Sequence, residues 1–235
     1  SAHASQLANR FFAAPSHKLD VIGVTGTNGK TTCAWLLSQA LTLCGRPAAY
    51  MGTLGSAFAG VLAAGEMTTP DAITVHRELS GFHARGARNV AIEVSSHGLA
   101  QQRVQAVHFD AAVFTNLTRD HLDFHGDMTA YGAAKASLFE RADVRLRVFN
   151  VDDEFGLELA ARPQFGGRIA CSSKAGAVLG DQYLVAHDIA YTPAGTQFLL
   201  RSSFGDAQVR TTLVGDFNVD NLLAVLAVLL GNGVA

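Results

Sequence analysis

Charge is scarce in this chain. Only 16% of its 235 residues are Asp, Glu, Lys or Arg, and 18 basic against 20 acidic residues leave a formal net charge of −2. That balance gives no electrostatic footing for nucleic acid or an anionic membrane surface as partner. Cysteine is equally sparse. Cys33, Cys44 and Cys171 are odd in number and never spaced Cys-x-x-Cys, so neither a disulfide framework nor a thiolate metal site is suggested. No apolar run reaches the roughly 18 residues needed to cross a membrane, so no membrane insertion is expected. The first residues lack the basic-then-apolar plan of a signal peptide, and a reducing cytoplasm is the expected location. There is no internal repeat and no low-complexity tract.

Apolar residues, by contrast, make up 49% of the chain, enough for a substantial core. After a small-residue-rich lead-in over 1–17, strand-like and helix-like runs alternate. Strands are expected at Leu19–Thr25, Pro47–Met51, Asn89–Val94, Ala111–Thr115 and Arg145–Asn150. Helices are expected at Thr31–Leu43, Asp71–Ala84, Thr129–Arg141 and Glu154–Ala161, with a short one around Leu99–Val104. Such alternation predicts an α/β fold with a mainly parallel sheet, helices on both faces and a P-loop-type nucleotide-binding core. Beyond about Arg168 the segments Tyr183–Ala190, Thr196–Ser202 and Gln208–Val214 alternate in polarity, which predicts a small antiparallel appendage. A very apolar helix, Asn218–Leu230, closes the chain.

The richest stretch is Val21–Thr32. A β-branched run enters Gly26-Thr27-Asn28-Gly29, and Lys30-Thr31-Thr32 opens a segment of helix formers. This is the layout of a phosphate-binding loop, in which backbone N–H groups close around phosphate oxygens, Lys30 reaches the terminal phosphates and Thr31 ligates Mg²⁺. The usual pattern has glycine six residues before the lysine, where this chain has Val24, so a shortened Gly-x-x-Gly-Lys-Thr form is present. Two further polar segments follow strands, where open parallel sheets bind ligands. One is Thr115–Gly126. Its His121 and His125 are four apart, but nothing else matches a zinc scaffold, and His125 reads as an ordinary loop histidine. The other is Glu93-Val94-Ser95-Ser96-His97. A carboxylate within an apolar strand is costly to bury unpartnered; Mg²⁺ is one natural partner, and a solvated strand edge is the alternative. A Ser95–His97 nucleophile pair lacks the Gly-x-Ser-x-Gly elbow of a hydrolase. By pattern alone Lys135, in Tyr131–Phe139, is a surface lysine among small residues.

Together with Thr68-Thr69-Pro70 and Gly215–Asn221, these segments resemble the central ATPase domain of the Mur ligases, most closely their E group. The resemblance covers nearly the whole chain, and the shortened phosphate loop belongs to it. It implies an ATP-dependent amide ligase of peptidoglycan precursor synthesis. Its partners would be ATP, UDP-MurNAc-L-Ala-D-Glu and an amino acid, diaminopimelate or L-lysine. The D-glutamate carboxylate would be activated as an acyl phosphate, which the incoming amine then attacks. Residues Gly26, Thr27, Asn28, Gly29, Lys30, Thr31 and Thr32 would hold ATP, with Asn221 and Asn218 near its base. Thr31, Glu93, His121 and Lys135 would serve two Mg²⁺ ions, Lys135 as a carbamate derived from CO₂. Thr68, Thr69, Ser95, Gln101 and Arg103 would contact the muramoyl dipeptide, and Lys30, Glu93, His121 and Lys135 are the implied catalytic set. The family has three domains. Residues 18–235 would be the middle one and 1–17 the lead-in from a missing N-terminal domain, with a C-terminal domain also absent. The competing readings are a folylpolyglutamate or cyanophycin synthetase with the same core, or a nucleotide-binding regulatory module.

Overall fold

The computed structural model describes residues 2–174 and 182–234. Helix α1 (Ala2–Phe11) leads through a 3₁₀ turn at Pro15–Lys18 into β1 (Asp20–Thr25), α2 (Lys30–Leu43) and β2 (Ala48–Gly52). A hairpin of β3 (Gly55–Phe58) and β4 (Val61–Ala63) precedes α3 (Ala72–Ala84), β5 (Asn89–Glu93), α4 (Ser96–Ala100) and β6 (Ala111–Phe114). Then come α5 (Leu122–His125), α6 (Met128–Ala136), β7 (Leu146–Asn150), α7 (Glu154–Ala161) and β8 (Arg168–Ser172). Finally β9 (Tyr183–Thr192), β10 (Gly195–Ser202) and β11 (Ala207–Thr211) lead to α8 (Asp216–Gly231).

All the described strands form one sheet in the order β11-β10-β9-β8-β7-β6-β1-β5-β2-β3-β4. The pairings from β9 to β2 are parallel, and the antiparallel pairs lie at the two margins. The expected antiparallel appendage is therefore continuous with the main sheet, because β9 pairs in parallel with β8. Strand alternation sorts side chains to two cores. Ile22, Val24, Tyr50, Ala91 and Val113 face α2 and α8, whereas Val21, Met51, Ile92 and Phe114 face α3, α6 and α7. Strand β1 sits between β5 and β6, and the chain winds away from it in both directions. The topological switch, where such sheets bind ligands, thus opens beyond the carboxyl end of β1.

Four features differ from the sequence expectation. The lead-in, to which no element was assigned, carries α1, which docks on α3, where buried Ser5 accepts from Ala106 N at 3.0 Å and meets His76 Nε2 at 3.2 Å. The short helix begins at Ser96, before the expected Leu99, because Ser95 Oγ accepts from Gly98 N at 3.0 Å. Helix α6 stops at Ala136, short of the expected Arg141. Beyond it Leu138 N and Phe139 N take the i−3 carbonyls of Lys135 and Ala136, at 3.2 and 2.9 Å, and the buried guanidinium of Arg147 holds the carbonyls of Phe139 and Arg141, both at 2.9 Å. The hairpin β3–β4, strand β8 and the single turn α5 were not anticipated; β4 is fully exposed, so it carries no buried alternation to read.

Candidate functional site

Helices α3, α4, α6 and α7 each begin with an Asp or Ser side chain that accepts from a first-turn amide. Helix α2 does not. Its N-cap is Gly29 in the left-handed region at φ 85°, with no side-chain cap, and a Cβ there would fall 2.4 Å from Asn221 Oδ1. The first-turn N–H groups of α2 are left for an anion, at the positive end of a fourteen-residue helix. Strand β6 holds the loop in shape from below. Thr27 N donates to Asn116 O at 2.8 Å and Asn28 N to Asn116 Oδ1 at 2.9 Å, while Asn28 O accepts from Thr115 Oγ1 at 2.6 Å and Asn116 Nδ2 at 3.2 Å. Lys30 folds back over this loop, donating to Gly26 O at 3.0 Å and Thr27 O at 2.8 Å. Burial lowers its pKa, against the opposing pull of Glu93 and Asp120.

Glu93, at the carboxyl end of β5, is fully buried. The sequence left a choice between a cation and a solvated edge; burial removes the solvated edge, and the structure surrounds the carboxylate with donors. Tyr50 Oη and Thr53 N serve Oε1, and Thr31 Oγ1 at 3.0 Å and Thr53 Oγ1 at 3.1 Å serve Oε2. The Thr31 hydroxyl and Glu93 Oε2 therefore meet beside the uncapped end of α2, two hard oxygens suited to Mg²⁺. Among the described residues no group of three or more His, Cys, Asp or Glu side chains could hold a metal. An ion here fits only with further oxygens from a nucleotide and water.

Lys135 overturns the pattern reading outright. It is 1% exposed, not a surface lysine. Its Nζ donates to Gly26 O at 2.7 Å, the carbonyl that Lys30 also uses, and lies 4.4 Å from the centre of the Tyr131 ring. Burial first, and the Lys30 charge second, pull its pKa down to about 7. The shift is toward the neutral, nucleophilic amine. The small residues Gly132 and Ala136 hid this from the pattern, because in sequence they resemble a bland helix face.

Beside the loop lies a cavity of about 480 Å³, lined by Asn28, Gly29, Thr32, Asn116, Asn150, Phe217, Asp220 and Asn221 among others. Asn221 is buried, and its Oδ1 accepts from the Cys33 thiol at 3.3 Å. Asn218 does not line this cavity; its Nδ2 turns back to Val214 O at 2.9 Å. Asn116, Asn150 and Phe217 were not singled out from sequence, although the first two are polar residues at carboxyl ends of strands, a usable signal.

On the opposite side, Thr68, Thr69, Ser95, Gln101 and Arg103 come together. Thr69 Oγ1 donates to Glu93 O at 2.8 Å and accepts from Ser95 N at 2.9 Å, so this buried threonine ties the segment to β5. Arg103 donates to Thr69 O at 2.6 Å and to Gln101 Oε1 at 2.9 Å. Thr68 meets Thr53 Oγ1 at 3.0 Å at the exposed rim. His121 adopts φ 51° at the start of α5, with its ring 4.7 Å from that of His97 and 6.2 Å from Tyr131. His125 is more than a loop residue: it packs on Tyr131 at 5.2 Å and on His97 at 5.6 Å. Burial lowers the pKa of both His97 and His125.

Comparison with known proteins supplies the context. A family model described as the Mur ligase middle domain matches residues 24–229. The UDP-N-acetylmuramoyl-L-alanyl-D-glutamate--2,6-diaminopimelate ligase of Pseudomonas aeruginosa is 47% identical over 99% of this chain and 47% of its own length. The protein of the same name from Xanthomonas campestris pv. campestris is 51% identical over 95% of this chain and 45% of its own. A solved structure of a ligase bearing that name superposes with a TM-score of 0.86 at 32% identity, covering 98% of this chain and 48% of the other. The Mycobacterium tuberculosis folylpolyglutamate synthase complexed with ADP and AMPPCP matches at TM-score 0.77 and 14% identity, over 99% of this chain and 59% of that one, a likeness of fold alone. The chain spans about half the length of the curated relatives it matches.

Proposed function

The chain belongs to the Mur ligase family, and on that footing we propose that it is the ATP-binding middle domain of an enzyme joining an amino acid to UDP-MurNAc-L-Ala-D-Glu. Diaminopimelate is the amino acid named for its relatives. The reading rests on one observation above others: Thr31 Oγ1 and Glu93 Oε2 meet 3.0 Å apart at the uncapped start of α2. The α2 amides bind the β- and γ-phosphates, and Lys30 leaves Gly26 O and Thr27 O to neutralise the charge that moves between oxygens. The cavity between the loop and α8 takes the nucleoside, with Asn221 against its base. Thr31 and Glu93 would hold Mg²⁺, and His121 would serve a second ion. When bound, the metal neutralises phosphate charge and orients the γ-phosphate.

Lys135 would take up CO₂ as a carbamate, its neutral amine adding to the carbon and losing a proton. The supporting facts are its burial, its pKa of about 7 and its position on Gly26 O at the base of the loop. Thr68, Ser95, Gln101 and Arg103 present hydroxyl, amide and guanidinium groups toward the muramoyl dipeptide. Arg103, fixed on Thr69 O, is the anion-binding member. Thr69, buried and fully engaged, positions Ser95 instead of touching substrate. The D-glutamate carboxylate accepts the γ-phosphate, and the incoming amine then displaces phosphate from the acyl phosphate. Uridine binding and amino-acid selection are assigned to further domains, in keeping with the coverage of the relatives.

ADP release by the full-length protein tests this. Release in Mg-ATP should require both UDP-MurNAc-L-Ala-D-Glu and diaminopimelate, with L-lysine inactive. Release indifferent to both additions contradicts the reading, and release on adding a folate would transfer the assignment to the synthetases that share the fold.

A further inference from the structure

The two oxygens of Glu93 have different surroundings. Oε1 accepts from two fixed donors, the Tyr50 hydroxyl and Thr53 N at 2.9 Å. Among the described residues Oε2 accepts from the hydroxyls of Thr31 and Thr53, which keep lone pairs for a cation, although Thr53 Oγ1 also meets Thr68 Oγ1 at 3.0 Å. Tyr50 is held in place. Its ring is fully buried with its face or edge against Trp35, centroids 5.1 Å apart at 78°, and its oxygen accepts from Leu54 N at 3.2 Å. Position 52 closes the seat. A Cβ there would stand 2.1 Å from Glu93 Oε1 and 2.6 Å from its Cγ, so only glycine leaves the carboxylate room in this orientation.

We propose that Tyr50 is a positioning residue for cation choice: by occupying Oε1 it confines Glu93 to ligation through Oε2 and so favours Mg²⁺ over Ca²⁺. This rests on the reading that Thr31 and Glu93 hold the nucleotide's metal. Calcium takes six to eight oxygens and often both oxygens of a carboxylate, whereas magnesium takes six in a compact octahedron and suits a single carboxylate oxygen. A carboxylate with one oxygen already committed to a buried phenol and a backbone amide disfavours the two-oxygen mode. Nothing in the sequence signals this, since Tyr50 lies in an apolar strand and reads as core.

The test is calorimetric binding of a non-hydrolysable ATP analogue to the full-length protein in EDTA, then with Mg²⁺ or Ca²⁺ titrated separately. In the wild type the analogue is expected to tighten at lower Mg²⁺ than Ca²⁺. Tyr50→Phe keeps the ring against Trp35 and removes only the hydroxyl. It should leave affinity in EDTA unchanged while the preference for Mg²⁺ over Ca²⁺ falls severalfold. An unchanged preference, or affinity lost equally in EDTA and in Mg²⁺, overturns the proposal. If Tyr50→Phe does not fold, 3-fluorotyrosine at position 50 provides the second arm. Its more acidic phenol donates more strongly, so the Mg²⁺ preference should rise, and a fall overturns the inference. Binding in the wild type that ignores both cations overturns the metal-site reading itself, and this inference with it.

Discussion

The phosphate loop and the histidine-rich stretch after β6 lie side by side, and they are held by different physics. Residues 26–29 are fixed by directional bonds from Thr115 and Asn116 to loop backbone atoms. His97, His121 and His125 are held mainly by ring packing on one another, on Phe124 and on Tyr131, with one 3.4 Å contact from His121 to Asp120. Hydrogen bonds to backbone fix position to a fraction of an ångström, as a phosphate requires before it arrives. Ring contacts tolerate rotation and sliding. The loop is pre-organised; the histidine patch is adaptable.

The largest effect should come from removing the charge that the loop stores. Lys30→Ala is expected to cut ADP release about 10²–10³-fold, with melting temperature little changed because the side chain bonds only loop carbonyls. Next comes the clamp itself. Asn116→Ala leaves Asn28 N without its side-chain acceptor, while Asn28 O keeps Thr115 Oγ1, and should weaken ATP-analogue binding by about 1–3 kcal/mol, read by calorimetry. A fourth histidine, His76, shows what full burial does to a ring. Its folded-state pKa is lowered by burial to about 4 from an ordinary 6.5. The neutral ring is the stabilised form, so its contribution is complete above pH 6.5 and is lost as pH falls from 6.5 toward 4. Denaturation midpoints should drop over that window in the wild type and less steeply in His76→Gln. The smallest effect belongs to the adaptable patch. His125→Phe preserves the ring contacts and should change stability by less than about 1 kcal/mol and leave nucleotide affinity unaltered.

The parallel core was legible because βα units leave two strong marks, β-branched runs and capped amphipathic helices, and Asp71 and Asp153 cap as such sequences should. The shortened phosphate loop was legible for the same reason: glycine, lysine and threonine sit where the chemistry needs them. What escaped the sequence lies in long-range contacts. Lys135 reaches Gly26 O, 109 residues away in sequence, while its own helix adds only the Tyr131 ring one turn earlier, so only the family resemblance singled it out. Tyr50, Asn150 and His125 owe their places to the topology of the sheet, which brings separate strand ends together. Asn218 shows the opposite case: it shares a motif with Asn221, yet helix geometry puts Asn221 on the cavity and turns the Asn218 amide back to Val214 O.

The central claim is that the head of α2, Thr31 and Glu93 form a nucleotide-bound cation site. Crystals of the full-length protein grown with Mn²⁺ and a non-hydrolysable ATP analogue test it most directly, through the anomalous signal of the ion. The account predicts a manganese peak bonded to Thr31 Oγ1 and Glu93 Oε2, with the phosphates on the α2 amides and the base against Asn221. Phosphates bound elsewhere, or a manganese that leaves both Thr31 and Glu93 untouched, would contradict it.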